Sequence, residues 1–135
     1  MYTFKKEERL RNKKLLDELF HKGSSFLCYP FRVSYLVTAL PPGDYPVQVV
    51  FPVARKRFKR AVQRNQIRRR IKEAYRLNKQ QYLYQSLGQS EVTLVLSLSY
   101  VGKEILPYQT IEKKLLKVFL QLTDMISHGQ GAANN

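Results

Sequence analysis

Between Arg55 and Arg76 the chain holds eleven basic residues in twenty-two positions, with Glu73 as the only acid. Eleven cations less one carboxylate make +10 of a formal net charge of +14, so the rest of the chain is only mildly basic. Inside that run the apolar residues fall at helical spacing. At about 100° per residue, Ile67, Ile71, Ala74 and Tyr75 gather on one side, while Asn65, Arg68, Arg69, Lys72 and Arg76 cover an adjoining arc of about 100°. Arg64 falls at the margin. A segment of this kind must be a helix with one face for a core and one for a polyanion. Charge so concentrated repels itself, and a partner rich in phosphate relieves the repulsion.

The remaining totals bound the fold. At 135 residues with 44% apolar side chains, the chain can bury a real core, and the charge sits on a folded body. One domain is expected over residues 1–127, with 128–135 a frayed polar tail. A lone cysteine, Cys28, leaves no internal disulfide and suits a reducing compartment. Met1 to Lys6 has no apolar signal region, and no apolar run is long enough to span a bilayer. A cytoplasmic protein with no membrane association is expected.

Along the chain, Asn12 is placed to cap a helix through Phe20 that ends at Gly23, with Leu15, Leu16, Leu19 and Phe20 on its buried stripe. Lys5 to Arg11 is a charged lead-in expected to lie across the body. From Phe26 to Val37 the period becomes two, with Leu27, Tyr29, Phe31, Val33, Tyr35 and Val37 on one face and Pro30 marking an edge or bulge. After a turn at Pro41 to Asp44, Val47 to Val53 forms a second strand, expected to pair with the first as an antiparallel hairpin. Glu91 to Tyr100 is the third strand, with Val92, Leu94, Leu96, Leu98 and Tyr100 alternating against smaller residues. Pro107 opens a last helix through Ile111, Leu115, Val118, Phe119, Leu122 and Ile126. The order α-β-β-α-β-α points to an α+β domain, a small sheet with helices packed mainly on one side.

A run of mixed charges is usually a solvated helix face, but charges of one sign flanking a packing stripe point to nucleic acid. Arginine's fork matches phosphate oxygens, and Asn65 can offer its amide to a phosphate, a sugar hydroxyl or a hydrated metal. Phe20, Phe31 and Tyr35 are each either core residues or platforms for stacking unpaired bases. Catalytic groups are sparse. His21 and His128 are the only histidines, and Glu7-Glu8 and Asp17-Glu18 are adjacent pairs that a helix points apart. No cysteine–histidine pattern has zinc spacing, and no glycine-rich loop resembles a phosphate cradle.

With these residues in view, Arg9 to Ile126 resembles the protein subunit of bacterial ribonuclease P. The centre of the resemblance is the Arg-Asn-Arg signature and its basic helix, here Arg64-Asn65-Gln66-Ile67-Arg68-Arg69-Arg70-Ile71-Lys72-Glu73-Ala74-Tyr75-Arg76. Phe20-His21-Lys22-Gly23 and Val53-Ala54-Arg55-Lys56 support it. The resemblance implies a sheet flanked by helices with a left-handed βαβ crossover, against the usual hand. It also implies a function: binding the catalytic RNA of ribonuclease P and the 5′ leader of precursor tRNA, with the hydrolysis and its Mg2+ ions belonging mainly to the RNA. No organic cofactor and no DNA partner are expected. Carried across by position, Arg55, Lys56, Arg64, Asn65, Arg68, Arg69, Lys72 and Arg76 would contact RNA, and Phe20, Phe31 and Tyr35 would line the leader cleft.

This chain departs from the family pattern at three places. Gln66 stands for the signature's second arginine, Leu16 for a frequent cleft aromatic, and Ser34 for a tyrosine that can occur there. Leader stacking would then be weaker or fall to Tyr35 or Tyr29, with backbone electrostatics contributing more. The competing class is a non-catalytic structural RNA-binding protein, such as a ribosomal component. A helix-turn-helix DNA binder is disfavoured, because the basic helix lies between strands with no partner helix just before it.

Overall fold

The computed structural model describes residues 4–38, 46–87 and 93–133. A 3-10 turn, Lys6–Glu8, leads to helix α1 (Lys13–Lys22), whose N-terminus is capped by Asn12. The Asn12 side-chain oxygen accepts from the N–H groups of Lys14 (2.9 Å) and Leu15 (3.3 Å), two donors that the first helical turn leaves without partners. Gly23 ends the helix where the backbone passes so close to the sheet that an added Cβ would collide with the Leu19 carbonyl and stand 2.8 Å from that of Tyr35.

Next come strands β1 (Ser24–Cys28), β2 (Phe31–Thr38) and β3 (Val47–Val50), helix α2 (Ala61–Lys79), strand β4 (Thr93–Tyr100) and helix α4 (Tyr108–Ala133). A π turn (Gln80–Tyr84) joins α2 to a short helix α3 (Gln85–Leu87). The sheet order is β1-β2-β4-β3, with β2 antiparallel to both β1 and β4, and β3 parallel to β4.

The single strand expected over Phe26 to Val37 is therefore two. Tyr29-Pro30, joined by a cis peptide, forms a tight turn, and Cys28 pairs with Phe31 across it. Residues opposed across a hairpin share a face, so Phe26 stands with Val33, and the even positions of β1 join the odd positions of β2. Phe26 and Cys28 pack toward the core, while Leu27 and Tyr29, expected to share a face with Phe31 and Val33, are exposed. The expected hairpin with the second strand is also corrected. β4 inserts between β2 and β3, because α2 carries the chain from β3 to a parallel neighbour, a connection that needs a crossover. The turn expected at Pro41 to Asp44, and Glu91 and Val92, lie outside the described residues.

Burial separates two cores. One face of the sheet, with Phe31, Val33, Val49, Leu96 and Leu98, packs against Ile67, Ile71 and Tyr75 of α2 and Ile111, Leu115 and Phe119 of α4. On the other face Val95 meets Leu15 and Leu19 of α1 and Leu10 before it. Helices thus cover both faces, and β4 is buried along nearly its whole length. Helix α4 continues to Ala133, past His128, where a tail was expected. Among the described residues no helix is long and apolar enough to cross a membrane.

Ile71 is fully buried between α2 and the sheet. Ile71→Ala should lower the unfolding free energy by about 2–5 kcal/mol, measured by urea denaturation; an unchanged midpoint would mean that the stripe on α2 carries no core.

Candidate nucleic-acid interface

Turning Ile67, Ile71 and Ala74 into the core leaves the next arc of α2 to solvent. Asn65 and Arg69 are exposed there, and Arg68 and Lys72 are half-buried. Arg68 is held by two bonds: its Nε donates to the Phe51 carbonyl (3.3 Å) and one Nη to the Asn65 side-chain oxygen (3.4 Å). The helix lies beside the edge strand β3, and residues before α1 run along that edge. The Leu10 N–H donates to the Val49 carbonyl (2.9 Å), and Arg9 bridges to Val49 in parallel sense. The Arg9 guanidinium stands 5.6 Å over the Phe4 ring. Together Phe4, Arg9, Asn65, Arg68, Arg69 and Lys72 line one concavity of about 560 Å³. The lead-in thus lies across the body as expected, and Arg9 joins a face that reading α2 alone did not assign to it.

This concavity is strongly cationic. Among the described residues Arg9, Arg68, Arg69 and Lys72 have no carboxylate partner, since Glu73 is engaged by Arg76 at 2.5 Å and Glu8 by Lys79. Lys72 registers the crowding: partial burial, then the charges of Arg9 and Arg68, hold its ammonium below the ordinary lysine value. Arginine forks and an ammonium around a shallow basin suit a chain of phosphates.

The other expected RNA ligands are placed differently. Arg64 turns back on its own chain and donates to the carbonyls of Phe58 (2.8 Å) and Lys59 (2.9 Å), closing the loop before α2. Its margin position on the wheel lets it reach that loop. Arg76 and Glu73 line the basin too, paired with each other across one turn of the helix, so Glu73 is the one carboxylate among the described residues of its lining. Arg55 and Lys56 are exposed in the turn that follows β3. Gln66 is on another side of α2, lining a depression with Arg70 and Tyr108, and Arg70 itself donates to the Leu106 carbonyl (2.6 Å).

The three aromatics expected in one cleft lie on opposite sides of the sheet. Phe31 is fully buried beneath the α2–α4 layer, with Tyr100 edge-on at 6.2 Å, so it is core. Tyr35 points the same way and donates from its hydroxyl to the Met125 sulfur (3.9 Å). Phe20 belongs to the α1 side and leaves 61% of its surface exposed, off the buried stripe on which Leu15 and Leu19 lie. Alternation along β2 and β4 places Arg32, Ser34, Ser97 and Ser99 on that same side, with Arg32 opposite Ser99 and Ser34 opposite Ser97. Arg32 is exposed and carries the charge of this second surface. Its signal in the sequence was parity: it sits one step out of phase with Phe31 and Val33.

Comparison with known proteins bears on the family and the fold. The family model described as Ribonuclease P matches residues 4–123. The ribonuclease P protein component of Porphyromonas gingivalis is 32% identical over 121 residues, covering 90% of this chain and 87% of the relative. That of Petrotoga mobilis is 32% identical over 123 residues, covering 89% and 95%. Among solved structures, the RNase P protein from Thermotoga maritima superposes with a TM-score of 0.63 at 24% identity, covering 83% of this chain and 94% of that one. The Staphylococcus aureus RNase P protein gives 0.62 at 18% identity, covering 85% and 94%. At these identities the structures show a shared fold.

The lowered Lys72 value makes both stability and phosphate binding depend on pH. Just below the ordinary lysine pKa of 10.5, the folded state holds fewer protons than the unfolded one, so this group's contribution to stability rises with pH in that window. Bound phosphates favour the charged ammonium, so RNA should raise the Lys72 midpoint, and affinity should fall as pH climbs through it. Carbon-detected NMR of the Lys72 Cε would check this; a midpoint at or above 10.5 in the free protein would contradict it.

Proposed function

This chain belongs to the bacterial ribonuclease P protein family, and we propose that, as the protein subunit of that enzyme, it holds the catalytic RNA and the 5′ leader of precursor tRNA on two separate surfaces. The cation face of α2, with Asn65, Arg68, Arg69 and Lys72, binds phosphates of the catalytic RNA. Arg55 and Lys56 extend it from the end of β3. The α1 side of the sheet receives the single-stranded leader, with the exposed Phe20 ring for stacking and Arg32 and Ser34 for the backbone. The observation that carries this reading is the group of cations on α2 with no carboxylate partner among the described residues.

In this reading the chain positions and the RNA cleaves. Bond breaking and the Mg2+ ions belong to the RNA subunit. Among the described residues no group of three or more His, Cys, Asp or Glu side chains is arranged to hold a metal ion. Neutralising phosphates on both partners lets leader and catalytic RNA approach, which lowers the magnesium that the RNA alone would require. A cytoplasmic location and a left-handed β3–α2–β4 crossover belong to the same reading.

Arg68→Ala should weaken binding of the catalytic RNA, reduce the slope of log K against log salt by about one unit, and leave the unfolding midpoint nearly unchanged. Reconstitution tests the division of labour. Protein freed of RNA should leave precursor tRNA intact, and adding the RNA component at low magnesium should restore cleavage. Processing by the protein alone would overturn the assignment, and equal affinity for precursor and mature tRNA would remove the leader surface.

A further inference from the structure

We propose that the residues before α1 form a latched strap that carries one more phosphate ligand, Arg9, onto the cation face of α2, held in place by the buried Glu8–Lys79 ion pair. The proposal rests on the RNA-binding reading of that face and adds a residue and a positioning device to it.

Glu8 is fully buried, a placement that a carboxylate tolerates only when its oxygens are satisfied. They are: one oxygen accepts from the Lys79 ammonium and the Tyr84 hydroxyl, and the other from the Lys5 N–H at 2.7 Å. Lys79 and Tyr84 reach one carboxylate because the helix opens into its π turn just there. The Gln85 N–H donates to the Gln80 carbonyl, and closure over five residues brings positions five apart to one side. Phe4 completes the latch, edge-on to Tyr75 at 5.7 Å and tilted against Phe51 at 5.7 Å, with the Lys79 ammonium 5.7 Å over its ring.

The latch decides where Arg9 goes. Its backbone is extended (φ −83°, ψ 135°), so its side chain points away from those on either side, Glu8 and Leu10, both buried. Glu8 inward therefore puts Arg9 outward, at the junction of two concavities that both include Arg68 and Lys72. The charge of Arg9 is felt at Lys72, and Arg9 has no carboxylate partner among the described residues. A buried ion pair is a weak source of stability but a good source of position, because only one arrangement satisfies it. An arginine on a loose segment would lose part of its attraction to ordering entropy on binding; here it is set in advance.

The test is the salt dependence of binding to the ribonuclease P RNA component for wild type, R9Q, E8Q, E8Q/R9Q and R68A, with hydrogen exchange of the Leu10 amide. R9Q changes an exposed side chain and should lower the salt slope by about one unit with an unchanged unfolding midpoint. E8Q should speed Leu10 exchange and weaken RNA binding, and that weakening should vanish in the R9Q background. If E8Q does not fold, Tyr84→Phe, which removes one hydrogen bond to Glu8, gives the same comparison in milder form. Wild-type binding by R9Q while R68A is impaired would overturn the strap and leave the α2 face standing. Full binding by both would remove the α2 face as well. A latch variant that weakens binding equally with and without Arg9 would show that the ion pair does not act through Arg9.

Discussion

Burial of one stripe of α2 makes the rest of the structure possible. Ile67, Ile71, Ala74 and Tyr75 have no solvent exposure, and each large apolar side chain fully buried contributes roughly 1.5–3 kcal/mol. Against this stands repulsion among the cations on the adjoining arc. For a pair about 4 Å apart in bulk water it is about 1 kcal/mol, and it falls off over a screening length of about 8 Å at physiological salt. Burial wins, so the helix folds with its charges aligned. The repulsion persists in the free protein, and a polyanion removes it. Folding thus draws on one side of these turns, and the proposed RNA binding on the other.

The same helix organises the neighbouring surfaces. Because α2 links β3 to a parallel β4, β3 becomes a sheet edge with room beside it, and the residues before α1 fill that place through Leu10 and Val49. The α2–α4 layer covers one face of the sheet, and the other face, beneath α1, carries Arg32, Ser34, Ser97 and Ser99. Phe20 and Arg32 belong to that second face, and the α2 cations lie beside the β3 edge.

Local periodicity carried much of this. The faces of α2 and α4, the Asn12 cap and the alternation of β4 all follow from spacing within one element, and the structure keeps each of them. What spacing could not show was pairing between elements. A two-residue turn at Tyr29-Pro30 leaves alternation looking continuous while exchanging the faces of the residues before it, and this carried Leu27 to the surface. Phe31 and Phe20 are alike as symbols, yet one lies under α4 and the other at the rim of α1. Helical spacing placed Arg64 and Arg76 near the basic arc but could not reveal that one closes a loop and the other pairs with Glu73. Arg9 was legible only as part of a charged lead-in, because its position depends on a bond to a strand forty residues away.

In the proposed complex the catalytic RNA meets the cation face of α2, extended by Arg55 and Lys56, and leaves the outer side of α4 free. Lysine-reactivity footprinting of the complex with the RNA component measures this directly, since Lys56 and Lys72 lie on the proposed surface and Lys113 and Lys117 on the outer side of α4 are exposed elsewhere. Strong protection of Lys72 and Lys56, with Lys113 and Lys117 reacting as in the free protein, is the expected result. Protection of the α4 lysines with Lys72 still reactive would contradict it.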